Sequence, residues 1–235
     1  LGDVHEDLRE ELQSLAGGSQ RIEALQTEMQ DLADRFSKDA ARLSRERAKA
    51  AKKLEKNAAG VLASLAMEQC RLEIALAPRE AADPHPQGAE EIDFLISTNP
   101  GTPVQPLGRI ASGGELSRIS LAIQVVTAST GTVPSMVFDE VDVGIGGAVA
   151  EVVGKLLRTL SNKAQVLCVT HLPQVAAQGH QHLQVKKVSD RKSVETSLTQ
   201  LSGEQKIEEI ARMLGGVKIT DQTLAHAREM LESCN

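Results

Sequence analysis

The chain has no tryptophan, no tyrosine and only three phenylalanines in 235 residues. A protein that holds single-stranded nucleic acid usually stacks bases on aromatic rings, and this chain cannot supply such a platform in number. Long apolar runs are also missing. None approaches the roughly 20 residues of a membrane span, and Leu1 is not followed by the charged and apolar segments of a signal peptide. The expectation is no membrane partner, a cytoplasmic setting and a true N-terminus upstream. Cysteine is scarce: Cys70, Cys168 and Cys234 are odd in number, far apart, and without C-x-x-C or Cys/His ligand spacing. They read as reduced thiols, with Cys168 expected to be buried in the apolar run Val166 to Val169. A net charge of -6 argues against a chain that coats nucleic acid over its whole surface, so any DNA contact must come from a local patch.

What is present suffices for a packed core, with 41% apolar residues in a length that fits one domain of about 150–180 residues plus an appendage. Residues 1–58 contain no proline and repeat apolar residues every seven positions: Leu8, Leu15, Ile22, Met29, Phe36, Leu43 and Ala50 in one register, Leu25 and Leu32 in the other. That recurrence is a coiled-coil seam. Its second register fails at Glu11, Gly18, Asp39, Glu46 and Lys53, and Gly17-Gly18 is expected to interrupt it early. One such helix cannot bury its own stripe, so a partner helix is required. Near the end of this arm, Lys38, Arg42, Arg45, Arg47, Lys49, Lys52, Lys53 and Lys56 outweigh Asp39, Glu46 and Glu55. The cluster is either a solvated coil surface or a contact for DNA phosphates.

A second helical stretch is expected over 60–76, then a loop at Pro84-His85-Pro86. From Glu91 onward strands and helices alternate. Strands are expected at 92–97, 135–138, 166–170 and 182–187, and helices at 115–128, 147–160, 204–214 and 221–231. Strands spaced by helices of this length predict βαβ units and a mostly parallel sheet with covering helices.

Three segments carry chemistry. The first, Ser112-Gly113-Gly114-Glu115, opens a helix; two glycines and a serine there expose unpaired backbone N–H groups that attract phosphate. Alone it could be an ordinary N-cap. The second is an apolar strand ending in Asp139-Glu140, at the C-terminal sheet edge where α/β proteins bind ligands. Asp139 can hold the Mg2+ of a nucleotide while Glu140 activates water as general base. Alone, two acids at a strand end are a solvated cap. In the third, a buried strand ends in Thr170-His171, and His171 can reach the same edge and donate to a γ-phosphate or orient the water.

In this order the three segments resemble the C-terminal lobe of ABC-type ATPases: signature, Walker B, D-loop and switch histidine. The stretches 107–118, 137–147 and 169–176, with the later Ala211-Arg-Met-Leu-Gly-Gly216, resemble more closely the RecN family of bacterial, SMC-like proteins of DNA double-strand break repair. The resemblance implies a C-terminal head lobe over 59–235, preceded over 1–58 by the returning arm of an antiparallel coiled coil. It implies that Ser112, Gly113, Gly114 and Glu115 contact ATP held by a second, identical head, that Asp139 serves Mg2+ and Glu140 the water, that Asp142 lies in the dimer-contacting D-loop, and that His171 is the switch. It also implies a bacterial, nucleoid-associated protein.

The departure is the missing phosphate cradle. A Gly-x-x-x-x-Gly-Lys-[Ser/Thr] loop occurs nowhere. Gly154-Lys155 is followed by Leu156, has Val149 in place of the first glycine, and falls inside an expected helix. A lobe bearing the P-loop is thus an expected partner, and hydrolysis by this chain alone is not expected. A transporter ATPase subunit shares the chemistry but has no use for the long arm. A coiled-coil scaffold would need only the arm.

Overall fold

The computed structural model describes residues 2–80, 84–110, 112–128, 133–190, 193–215 and 219–234, leaving aside the side chains of 2–5, 7–17, 20, 188–190 and 193–195. The chain divides into two compact units, residues 1–52 with 74–93, and residues 53–73 with 94–235. Helix α1, Gly2–Ser64, begins in the first and ends in the second.

α1 passes through Gly17-Gly18 without a break. Glycine costs about 1 kcal/mol per helical position, which helix-forming neighbours on both sides can absorb. Ile22, Leu25, Met29 and Leu32 are 49–70% exposed, so the stripe is uncovered, as a lone arm requires. Leu8 and Leu15 lie outside the described side chains. In the first unit the seven-residue register does not hold to its end, since Ala50 is exposed whereas Ala40 and Ala51 are buried. A straight helix of 3.6 residues per turn drifts away from a strict seven-residue repeat. The loop just before the strand at Glu90–Ser97 meets this part of the helix at Leu43. Gly88, at φ +88°, approaches so closely that a Cβ there would lie 3.0 Å from Leu43 Cδ2. The loop is closed by Arg79 N–H donating to the Ala89 carbonyl at 2.9 Å.

The helix expected over 60–76 is corrected. α1 ends at Ser64, and strand β1 occupies Arg71–Pro78, because Leu72, Ile74 and Leu76 alternate with other residues at the two-residue period of a strand rather than at 3.6. β1, β2 (Glu90–Ser97) and β3 (Gln105–Pro106) form one sheet in that order, with β2 and β3 antiparallel.

The core of the second unit is built from the end of α1 (Ala58, Leu62, Leu65), Leu72, Ile96, helix α2 (Gly113–Thr127) through Ile119, Leu121 and Ala122, and helix α3 (Gly147–Ser161) through Ala150, Val153, Leu157 and Leu160. Strands β4 (Ser135–Phe138) and β5 (Gln165–Cys168) pair in parallel, Ser135 opposite Gln165 and Phe138 opposite Cys168. A parallel pair needs a crossover, and α3 supplies it. Phe138, Met136, Val166 and Cys168 turn to the core. On the opposite face Val137, Leu167 and Val169 are 70%, 43% and 61% exposed.

After the short helix α4 (Pro173–Ala176), β6 (His182–Asp190) and β7 (Ser193–Leu201) form an antiparallel hairpin. β7 was not among the expected strands. Its sequence, Ser193-Val-Glu-Thr-Ser-Leu-Thr-Gln-Leu201, is polar enough to conceal the alternation. Helices α5 (Glu204–Gly215) and α6 (Asp221–Glu232) pack through Ile210, Ala211 and Ala227. Buried Glu209 ties the hairpin to α5, accepting from Gln184 and from Arg212 at 2.7 and 2.8 Å. The Arg212 bond holds its carboxyl below the usual carboxylate range, against the opposing effect of burial. Among the described residues no helix is long and apolar enough to cross a membrane.

Candidate nucleotide site at the sheet edge

All eight residues expected to serve nucleotide, metal or water lie in the second unit. Ser112 is the N-cap of α2. Its backbone is extended at φ -95°, and its hydroxyl accepts from Glu115 N–H at 3.4 Å. Ser112 and Gly113 are exposed, so the positive end of α2 and its free N–H groups face outward. Gly114 is buried because backbone passes over it. A Cβ there would meet Val143 O at 3.2 Å, Val143 Cβ at 3.3 Å and Glu140 O at 3.4 Å. A side chain at Gly113 would collide with the Glu140 carboxylate. The two glycines therefore admit the loop that carries the acids.

That loop leaves β4 at Phe138. Asp139 is exposed and its Oδ1 accepts from Glu140 N–H at 3.0 Å. Glu140 holds φ +58°, a left-handed conformation that costs a non-glycine residue of order 1–3 kcal/mol and persists only where surroundings impose it. A turn follows, with Val143 N–H donating to Glu140 O at 3.2 Å. The strain turns the carboxylate of Glu140 toward α2 instead of along the strand. Asp139 and Glu140 thus diverge in direction.

Asp142, expected in a dimer contact, makes its contacts within the chain. Its side chain is 2% exposed and points inward. The same oxygen, Oδ2, accepts from the Thr170 hydroxyl, from His171 N–H at 3.2 Å, and lies 3.6 Å from His171 Nδ1. The arrangement orients the segment after β5, whose side chain His171 is itself 72% exposed. Cys168, the last residue of β5 and three before His171, is half-buried rather than fully buried as expected. Burial, then Asp142 and Asp139, push its thiol up to about 12, and burial pushes Cys70 up to about 11. Neither is a thiolate near neutral pH.

Sequence reasoning assigned no role to Ser117 and Arg118, although both reach the acid loop. Ser117 Oγ donates to Asp139 O at 2.8 Å, and Arg118 donates to Val143 O at 2.7 Å. The available signal was their position one turn past the glycines, on the face of α2 toward β4. Gly154-Lys155 lies inside α3, and a Cβ at Gly154 would come within 2.7 Å of Gln178 Cγ and 3.1 Å of Gln174 O. That glycine serves helix packing and cradles no phosphate. Among the described residues no group of three His, Cys, Asp or Glu could hold a metal by itself. Mg2+ accompanying a nucleotide needs less, being held by one or two carboxylates together with phosphates and water, and Asp139 fits that use.

The sequence relatives decide the family. DNA repair protein RecN of Vibrio cholerae is 46% identical over 227 residues, 97% of this chain and 41% of that protein. The RecN of Xylella fastidiosa is 46% identical over 222 residues. The chain belongs to the RecN family. The RecN of Bacillus subtilis extends the range, 36% identical over 241 residues, 97% of this chain and 42% of that protein. The chain spans about two-fifths of the length of these RecN proteins. No protein-family model matches it. Among solved structures, an SMC head domain with coiled coil from Pyrococcus yayanosii overlaps 70% of this chain and 29% of its own, at TM-score 0.49 and 21% identity. Membership of the RecN family rests on the sequence relatives.

Proposed function

We propose that this chain is the half of a RecN-type ATPase head that fires ATP rather than cradling it, working in DNA double-strand break repair and recombination in the bacterial cytoplasm. A P-loop lobe from the rest of the protein would hold ATP and Mg2+. Ser112, Gly113, Gly114 and Glu115 would contact the γ-phosphate of ATP bound to a second, identical head. Asp139 would complete the Mg2+ shell, Glu140 would take the proton of the attacking water, and His171, oriented by Asp142, would sense the γ-phosphate. The observation that carries the reading is the strained, closely packed placement of Glu140 beside the signature glycines. Free metal and water ligands cannot position a nucleotide without its phosphate cradle, so the chain alone would not turn over ATP.

The uncovered face of β4 and β5 supports a missing lobe. Strands of a parallel sheet are normally covered on both sides, and Val137, Leu167 and Val169 are left bare. The upstream lobe is the natural cover. A scaffold without hydrolysis would not dimerise in response to ATP, which separates it from the present reading.

DNA would bind the basic stripe of α1. Lys38, Arg42, Arg45, Lys49 and Lys52 follow one another at spacings of four and three, which places them on one helix face. All five are exposed. The pairs Arg42–Asp39 at 3.1 Å and Lys49–Glu46 at 2.9 Å lie open to solvent and are weak enough to yield to phosphate. Arg47 is turned away toward Glu90 at 3.9 Å. Lys53 and Lys56 continue the charge along the helix. Replacing Arg42, Arg45 and Lys49 with glutamine in the complete protein should flatten the slope of log affinity against log salt by about 2–3, nearly one per lost phosphate contact. Fluorescence anisotropy on duplex DNA measures it, and an unchanged slope would remove this stripe as the DNA contact.

A further inference from the structure

Two bonds between α2 and the acid loop have no part in the roles just assigned. The carbonyls they engage bracket Glu140: Ser117 holds that of Asp139 just before it, and Arg118 that of Val143 three residues after it. Arg118 is half-buried. Burial pushes its guanidinium below the usual range, with Glu115 acting in the opposite direction. Its buried Nε has no hydrogen-bond partner among the described residues. A half-buried cation with an orphaned donor is a poor way to gain stability. An apolar side chain of similar length would pack there at lower cost, but it could not hold the Val143 carbonyl.

We infer that Arg118 is a positioning residue for hydrolysis, fixing the 139–143 loop to the signature helix so that docking of α2 on a second head's nucleotide sets the place of Glu140. The inference rests on the ATPase reading above. Three observations make the link rigid. Gly114 lets the backbone of Val143 and Glu140 touch α2 directly. Glu140 sits at φ +58°, a conformation that relaxes unless both ends of the loop are held. The next residue but one, Asp142, is anchored separately through Thr170 and His171. Of the two ends of the loop, the one at Val143 is tied to α2 by Arg118. Losing that tie frees the general base by the fraction of an ångström that matters for attack geometry, while the phosphate-facing end of α2, one turn away, is unaltered.

The test is steady-state ATP hydrolysis by the full-length protein carrying Arg118→Ala, Arg118→Lys or Glu140→Gln, with ATP-dependent dimerisation followed by light scattering. For Arg118→Ala, kcat should fall about tenfold to hundredfold while KM for ATP and the dimer population stay within roughly threefold of the parent. Arg118→Lys should recover part of kcat, since an ammonium can still donate to the Val143 carbonyl. Unchanged kcat in Arg118→Ala overturns the inference. So does a loss of kcat in parallel with dimerisation and melting temperature, which would make the arginine a packing residue only. If Arg118→Ala melts too low to assay, Arg118→Lys decides: reduced kcat with normal dimerisation supports positioning, and parental kcat refutes it. Normal turnover by Glu140→Gln would instead remove Glu140 as the general base on which the inference rests, and absence of turnover in the unsubstituted full-length protein would remove the ATPase reading itself, whatever Arg118 does.

Discussion

Replacing Glu140 with glutamine in the complete protein is expected to lower ATP turnover by about 10²–10⁴-fold, the range that a general base contributes, and to leave ATP-bound dimers that persist. Glutamine keeps the shape of the side chain and can tolerate the same φ of +58° to the same degree, so the backbone of the loop should not change. What is lost is the capacity to accept a proton from water. The signature contacts of Ser112 to Glu115 lie on α2 and would form normally, and the second head would therefore engage and fail to release. Phosphate release measures the turnover, and size-exclusion chromatography with ATP measures the trapped dimer. Normal turnover would mean that another group activates the water.

The second large effect is expected at Asp142, whose replacement by alanine should damage both stability and turnover. Its carboxylate oxygen is buried and serves Thr170 and the backbone N–H of His171 at once. Removing it strands the His171 N–H and leaves the Thr170 hydroxyl only the Leu172 carbonyl at 3.4 Å, and an unsatisfied buried group costs about 1–3 kcal/mol. For a chain of this length each kcal/mol corresponds to roughly 2–4 °C in melting temperature. The loss of turnover should come through His171. Asp142→Ala and His171→Ala should each reduce kcat, and the double variant should be little worse than either, because residues acting as a unit are strongly non-additive. Independent, multiplying losses would show that Asp142 does not work through the histidine. Asp142→Asn, which keeps one acceptor oxygen, should be the milder variant on both measures.

These expectations depend on features of unequal legibility in the sequence. Helices α2, α3, α5 and α6 and strands β4 and β5 could be located in advance, since their apolar periodicity is strong and each is bounded by glycine, proline or a polar turn. The segment 60–76 misled because Leu62, Leu65 and Leu72 suit a helical period, whereas the switch to two-residue alternation begins only at Arg71. β7 was missed because its partner strand, not its own hydrophobicity, makes it a strand. The failure of the coil register at Ala50 and Ala51 follows from the drift of a straight helix away from a strict seven-residue repeat, which the repeat itself does not display.

The candidate site divides in the same way. Ser112, Asp139, Glu140 and His171 are visible as residue types at the ends of regular elements. The inward turn of Asp142 and the reach of Ser117 and Arg118 are not, because they depend on how closely two glycines let one backbone approach another. Nor does the sequence reveal that Glu140 is held in a left-handed conformation. That strain exists only once α2 and the loop are packed together.

On the proposed function, this chain holds the reactive half of a shared ATP site and depends on a phosphate cradle from elsewhere in the protein. The most direct test is ATP turnover at saturating ATP and Mg2+ by this 235-residue chain alone, compared with the same chain joined to its P-loop lobe. The chain alone should show no turnover above the protein-free background, and with the lobe present turnover should be abolished by Glu140→Gln. Turnover by the chain alone that disappears with Glu140→Gln would contradict that dependence.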